Sequence, residues 1–211
     1  MKKIILLITT LFLSFFLLFD TVKAEEKKVY WNVGGTTEDA GLKQVLISNG
    51  FASDEIENIT KIVFYDNSKS NTSIDYDNIY EFDLSKEQDK SVIVATKGTE
   101  IYIQFNGTLY FNAESNYMFY NFSNITSIEG LEYIDTSEVT MMNYMFSNCE
   151  KLQTLDLSNF NTSNVISMAS MFRNCSSLEY LDVSTFDTSK VKNVTYLFRA
   201  CSSLKKLDLS N

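Results

Sequence analysis

The chain has no histidine and no proline, and its 211 residues include only seven glycines, three cysteines and one tryptophan. Each shortage excludes something. Without histidine there is no Ser-His-Asp or Cys-His nucleophilic machinery and no imidazole to hold a metal. The shortage of proline and glycine excludes a flexible linker protein. Gly34-Gly35 is followed by none of the spacing that cradles a phosphate. The cysteines lie far apart rather than in the C-x-x-C pairs of a metal site. Positive charge is also scarce, with 18 Lys and Arg against 27 Asp and Glu, a net charge of −9. That balance argues against nucleic acid and anionic lipid as partners, and it favours solubility and a basic partner. No carboxylate-pair or Ser-Lys spacing points to catalysis, so the expectation is a protein that is not an enzyme, with no cofactor and no metal.

Hydrophobic residues make up 45% of the chain, enough for a real core. The N-terminus reads as a secretion signal over residues 1–24. Lys2 and Lys3 are followed by an uncharged apolar run over 4–19, and Val22-Lys23-Ala24 offers small residues where a signal peptidase reads. The run is short for a membrane span of about 20 residues. The expected location is therefore secreted or at the cell surface, with no membrane attachment after cleavage.

Residues 116–211 repeat. Cys149, Cys175 and Cys201 are spaced by 26, as are Phe146, Phe172 and Phe198, and Leu155, Leu181 and Leu207. Upstream, Asn116-Tyr117-Met118-Phe119 matches Asn143-Tyr144-Met145-Phe146 at a step of 27, which marks a divergent first unit. Within each unit Leu152, Leu155 and Leu157 give L-x-x-L-x-L spacing, read as a short strand. Val165, Met168, Met171 and Phe172 recur at steps of three and four, read as a short helix with Ser163 as its N-cap. Units of this size bury their apolar faces only against one another. The expected fold is thus α/β: a leucine-rich-repeat-like solenoid, one strand plus one short helix per 26-residue unit. Ahead of it stands a small N-terminal α+β module over 25–115. There a helix is expected at 42–49, strands at 62–65, 91–96, 100–105 and 108–112, and a hairpin turn at Asn106-Gly107.

The units LDLSNFNTSNVISMASMFRNC and LDVSTFDTSKVKNVTYLFRAC resemble the BspA-like leucine-rich-repeat surface proteins of Gram-positive bacteria and mycoplasmas, and the stretch before them is similar to the region preceding the repeats in that family. The resemblance covers roughly residues 60–211. It implies export and adhesion to host or neighbouring-cell proteins, without naming a ligand, and it carries no catalytic residues. Family members are commonly longer. The sequence stops at Ser210-Asn211, partway through a unit, so the alternative expectation is a non-enzymatic structural stub or truncated fragment of a longer surface protein. An uncapped last unit also offers an edge for end-to-end self-association.

The candidate binding face follows from the repeat. Asp156, Asp182 and Asp208 alternate with inward leucines and so point outward, toward a basic patch or Ca²⁺ in one reading and toward solvent in the other. Beside them Thr154, Tyr180 and Lys206 occupy one equivalent position but vary in type, which is where a ligand preference can be written. Tyr180 is the best anchor. The three cysteines are expected to stack at roughly 5 Å, either as small buried residues or with one disulfide and an odd thiol.

Overall fold

Side chains in residues 61–66 alternate between buried and open positions, as a strand with one buried face requires. A strand forms there in the computed structural model of the protein, which describes residues 28–31, 33–69, 73–84, 86, 91–205 and 207. The leader expected over 1–24 lies outside these residues. In chain order the elements are β1 (Val29–Tyr30), α1 (Leu42–Ser48), α2 (Ser53–Glu57), β2 (Lys61–Asp66), β3 (Asn78–Asp83), β4 (Ile93–Lys97), β5 (Glu100–Phe105), β6 (Leu109–Tyr110), β7 (Ser127–Glu129) and β8 (Ile134–Asp135), with single 3-10 turns at Glu38–Ala40 and Leu131–Tyr133. They form a five-stranded sheet ordered β3-β4-β5-β2-β7 and a three-stranded sheet ordered β1-β6-β8. No helix among the described residues is long and apolar enough to cross a membrane.

The hairpin lies elsewhere than expected. β4 and β5 pair antiparallel through Lys97 and Glu100, so the two-residue turn is Gly98-Thr99, with Gly98 at φ +57°. The chain crosses from one sheet to the other at Asn106-Gly107, because β5 and β6 belong to different sheets. The Asp66 carboxylate holds that crossing by accepting the Gly107 and Ser68 amides, each at 2.9 Å. Both sheets also cross the expected boundary near residue 115. β2 pairs parallel with β7, and β6 with β8. Gly130, at φ +80°, packs where a Cβ would overlap the Phe64 carbonyl. An aromatic core joins the sheets to the repeats, with Trp31 packed 5.4 Å from Phe64 and Phe64 6.0 Å edge-on to Phe119.

The repeat region corrects the fold-class expectation. The leucine-rich-repeat-like solenoid with a strand and a short helix in each 26-residue unit is not what forms. Both α-helices are short and end by residue 57, and from residue 136 to 205 the described chain holds turns and isolated bridges rather than helices or multi-residue strands. The reason lies in the backbone. Tyr144, Asn148, Ser170 and Asn174 sit at positive φ, as do Tyr117, Asn121, Tyr196 and Ala200, and two left-handed residues four apart in each unit cannot belong to a continuous α-helix. The amides of Met142, Tyr144, Phe146 and Asn148 therefore donate to the carbonyls of Ser167, Ala169, Met171 and Arg173, one unit onward, at 2.8–3.0 Å. Those of Ser147 and Cys149 turn back three residues. Ser163 caps no helix. Its amide and hydroxyl both donate to the Asn161 side chain, closing a tight turn. Leu155 and Leu157 are buried as an inward strand face would be, yet no multi-residue ladder forms around them.

Packing between units is regular all the same. Phe119, Phe146, Phe172 and Phe198 stack at 5.2, 5.6 and 5.4 Å. Each cysteine thiol donates to the phenylalanine carbonyl of the unit before it, Cys149 to Phe119 at 3.1 Å, Cys175 to Phe146 at 3.2 Å and Cys201 to Phe172 at 3.0 Å. All three thiols are free. Burial pushes the Cys149 thiol up to about 12 and raises the other two as well.

Candidate functional site

A concavity of about 620 Å³ lies where β7 and the Leu131–Tyr133 turn face residues 154–159 and the following unit. Thr154, Asp156, Tyr180 and Asp182, four of the six residues expected on the binding face, line it together. The other two, Lys206 and Asp208, lie outside the described residues. Thr154, Asp156 and Asp182 are exposed, and the Tyr180 ring is 55% exposed, which is unusual for a large aromatic. The alternation that buries Leu155, Leu157, Leu181 and Val183 is what turns these four outward.

Two further carboxylates line the groove, Glu129 and Glu132. Stepping back from Asp156 by 26 lands on Gly130. The first step of the repeat is 27, as the bridges Glu114–Met141 and Met141–Ser167 show, and a step of 27 lands on Glu129. Glu129, Asp156 and Asp182 are thus one column of acids across three units, and Ser127, Thr154 and Tyr180 are the column beside it.

The carboxylates differ in their surroundings. The Ser158 amide at 3.0 Å, joined by the Ser158 hydroxyl, holds Asp156 below the usual carboxylate range, against a small upward push from Asp182. Asp182 accepts the Ser184 amide in the same way at 2.9 Å. Each therefore closes a tight turn. Glu129 meets Lys61 at 3.3 Å, and Lys61 also reaches Glu100 at 3.2 Å. Among the described residues lining the groove there is no lysine or arginine. Among the described residues no three acidic, cysteine or histidine side chains converge closely enough to hold a metal ion.

A second concavity of about 610 Å³ has a mostly apolar lining that includes Phe172, Phe186, Val194 and Phe198, at the fourth unit. Sequence reasoning singled out no site there.

Residues 113–211 match the family model described as "Mycoplasma protein of unknown function, DUF285". The match takes in all four turn-built units and leaves out the helices and most of the five-stranded sheet. No curated protein and no solved structure matches the chain.

Proposed function

We propose that the chain works outside the cell as a protein-binding module, adhering to basic patches on host or neighbouring-cell proteins through the groove of Glu129, Asp156, Tyr180 and Asp182. One observation carries this reading: an exposed aromatic ring stands beside a column of acids in a concavity whose described lining holds no lysine or arginine. Aromatic anchors flanked by charge are where binding energy concentrates at protein interfaces, and complementary charge speeds encounter and selects partners. The basic-apolar leader supports the extracellular location, and the likeness to BspA-like surface proteins supports adhesion.

The test is a solid-phase or interferometry screen of the folded chain against extracellular-matrix and host-surface proteins at low and high salt. The expected result is a binder whose affinity falls as salt rises and falls again by tenfold or more, about 1.4 kcal/mol, on Tyr180→Ala. Binding that ignores both changes would sink the groove as the site. No binding at all by a folded chain would sink the function.

A further inference from the structure

Arginine is confined to one place in the repeat. The chain has only two, Arg173 and Arg199, 26 residues apart at the same position of consecutive units. In the two units before them that position holds Tyr120 and Ser147. Three residues earlier in each unit, at positive φ, stand Tyr117, Tyr144, Ser170 and Tyr196. The two columns run side by side along the flank of the stack. The Tyr117 and Tyr144 rings stack at 4.9 Å and 4°. The Tyr120 ring meets Tyr117 edge-on at 5.4 Å, and the Arg199 guanidinium lies 4.9 Å over the Tyr196 ring, so one column packs on the other in the first and fourth units alike.

Positive charge on this flank has no counter-charge. Lys28, Lys43, Lys61, Lys69 and Lys205 each meet a carboxylate at 2.6–3.7 Å. Neither arginine meets one among the described residues, in a chain with 27 Asp and Glu against 18 Lys and Arg. Arg173 sits inside the stack, in the third unit, whose backbone is bonded to the second and the fourth. Its Nε is buried and unbonded, so packing fixes the side chain and the two terminal nitrogens carry its open donors. Ser147, the residue before it in the column, is small and buried, and the Arg173 charge is felt beyond it at the Tyr120 hydroxyl, which Glu38 bonds at the far end of the flank.

We infer that the flank of Arg173, Arg199 and Tyr144 binds a sulfated glycan, at a site separate from the acidic groove, none of whose lining residues it shares. Guanidinium forks hold oxyanions through paired N–H donors. Two forks one rung apart, where the ring stacks set a rung at 4.9–5.6 Å, repel each other, and one sulfate shared between them removes that repulsion while bonding both. The tyrosine hydroxyls and the bonded Asn148 and Asn174 carboxamides beside them suit the hydroxyls of a sugar. An acidic peptide fits less well, because no strand lies at this flank among the described residues for its backbone to pair with. The net charge of −9 does not oppose this, since charges beyond about 8 Å are screened at physiological salt and the arginines set the local field.

The experiment titrates the full chain with a heparin oligosaccharide and follows the arginine Nε–Hε signals by nuclear magnetic resonance, where a chain with two arginines gives two signals. Both should shift and saturate together, and the same oligosaccharide after desulfation should move neither. Arg173→Gln with Arg199→Gln should weaken binding tenfold or more. Arg173→Lys with Arg199→Lys, which keeps the charge and loses the fork, should weaken it less, and Tyr180→Ala in the groove should leave it unchanged. Silence of both signals in the folded parent overturns the inference, and this readout stands even if the glutamine pair fails to fold. So does an equal response to the desulfated chain or to poly-glutamate, or full-strength binding by a folded glutamine pair. Loss of binding in Tyr180→Ala also overturns it, since the glycan would then sit in the groove.

Discussion

The two sheets, built mainly from residues 29–110 and completed by β7 and β8, and the repeated units of 113–205 both satisfy their backbones away from water, but by opposite routes. In the sheets, β2 pairs with β5 and β7, partners 39 and 66 residues away from Lys61 at Glu100 and Ser127, so no piece closes without distant chain. In the units, the cross-links join one unit to the next, amide to carbonyl over 25–28 residues, Phe on Phe over 26 or 27 and thiol to carbonyl over 29 or 30. The first region should therefore fail as a whole, and the second should fail unit by unit, as stability in a repeat stack is a sum of nearest-neighbour contacts.

The largest effect tests that contrast from the sheet side. Phe64 is buried between Trp31 and Phe119 where the sheets meet the first unit. Phe64→Ala should cost about 3–5 kcal/mol and move the urea midpoint of Trp31 fluorescence and of far-UV circular dichroism together. Phe172→Ala, between Phe146 and Phe198, should instead separate the probes. Circular dichroism loses amplitude early as the last units fray, while fluorescence from Trp31, the only tryptophan, keeps nearly its original midpoint. Coincident shifts in the second variant would show that the stack and the sheets unfold as one body.

The same contrast explains what was legible in the sequence. The spacing of Phe146, Phe172 and Phe198 and of the cysteines identified which side chains share a core, because packing partners recur at the period of the fold. It could not identify the backbone between them. Val165, Met168, Met171 and Phe172 sit at steps of three and four, and a run of tight turns buries those steps as well as a helix does. Only Asn121, Asn148 and Asn174, a residue tolerant of positive φ, hinted at turns. In the groove, Asp156, Asp182 and Tyr180 were visible as repeat positions, whereas Glu129 was hidden by the single change of step from 26 to 27. The crossing at Asn106-Gly107 was read as a hairpin because nothing local reveals that Asp66, 41 residues away, accepts the Gly107 amide.

A smaller effect is set by pH. Burial holds the Cys149 proton on in the folded chain to about 12, against an ordinary value of 9.0. Between those values the unfolded chain releases a proton that the folded chain keeps, so folding stability falls as pH rises through that window and is unaffected below it. Cys149→Ala should flatten part of that alkaline slope in urea titrations at several pH values. Cys201, half-buried, should be the first of the three to react with iodoacetamide, since thiolate character and access set the rate. Equal labelling of Cys149 and Cys201 in the folded chain would contradict the packing described for the second unit.

The smallest change in stability should accompany the most informative change in binding. Asp156 and Asp182 each accept a serine amide two residues on, and asparagine keeps that acceptor while losing the charge. Asp156→Asn with Asp182→Asn should therefore leave the urea midpoint within about 0.5 kcal/mol of the parent, the range of ordinary surface substitutions. The same pair should weaken a basic partner and reduce the salt dependence of its binding. Asp156→Ala removes the turn acceptor as well and should cost stability by about 1 kcal/mol. If the asparagine pair destabilises as much as alanine while binding is untouched, the acids serve the turns of the stack alone, and the groove's charge plays no part in choosing a partner.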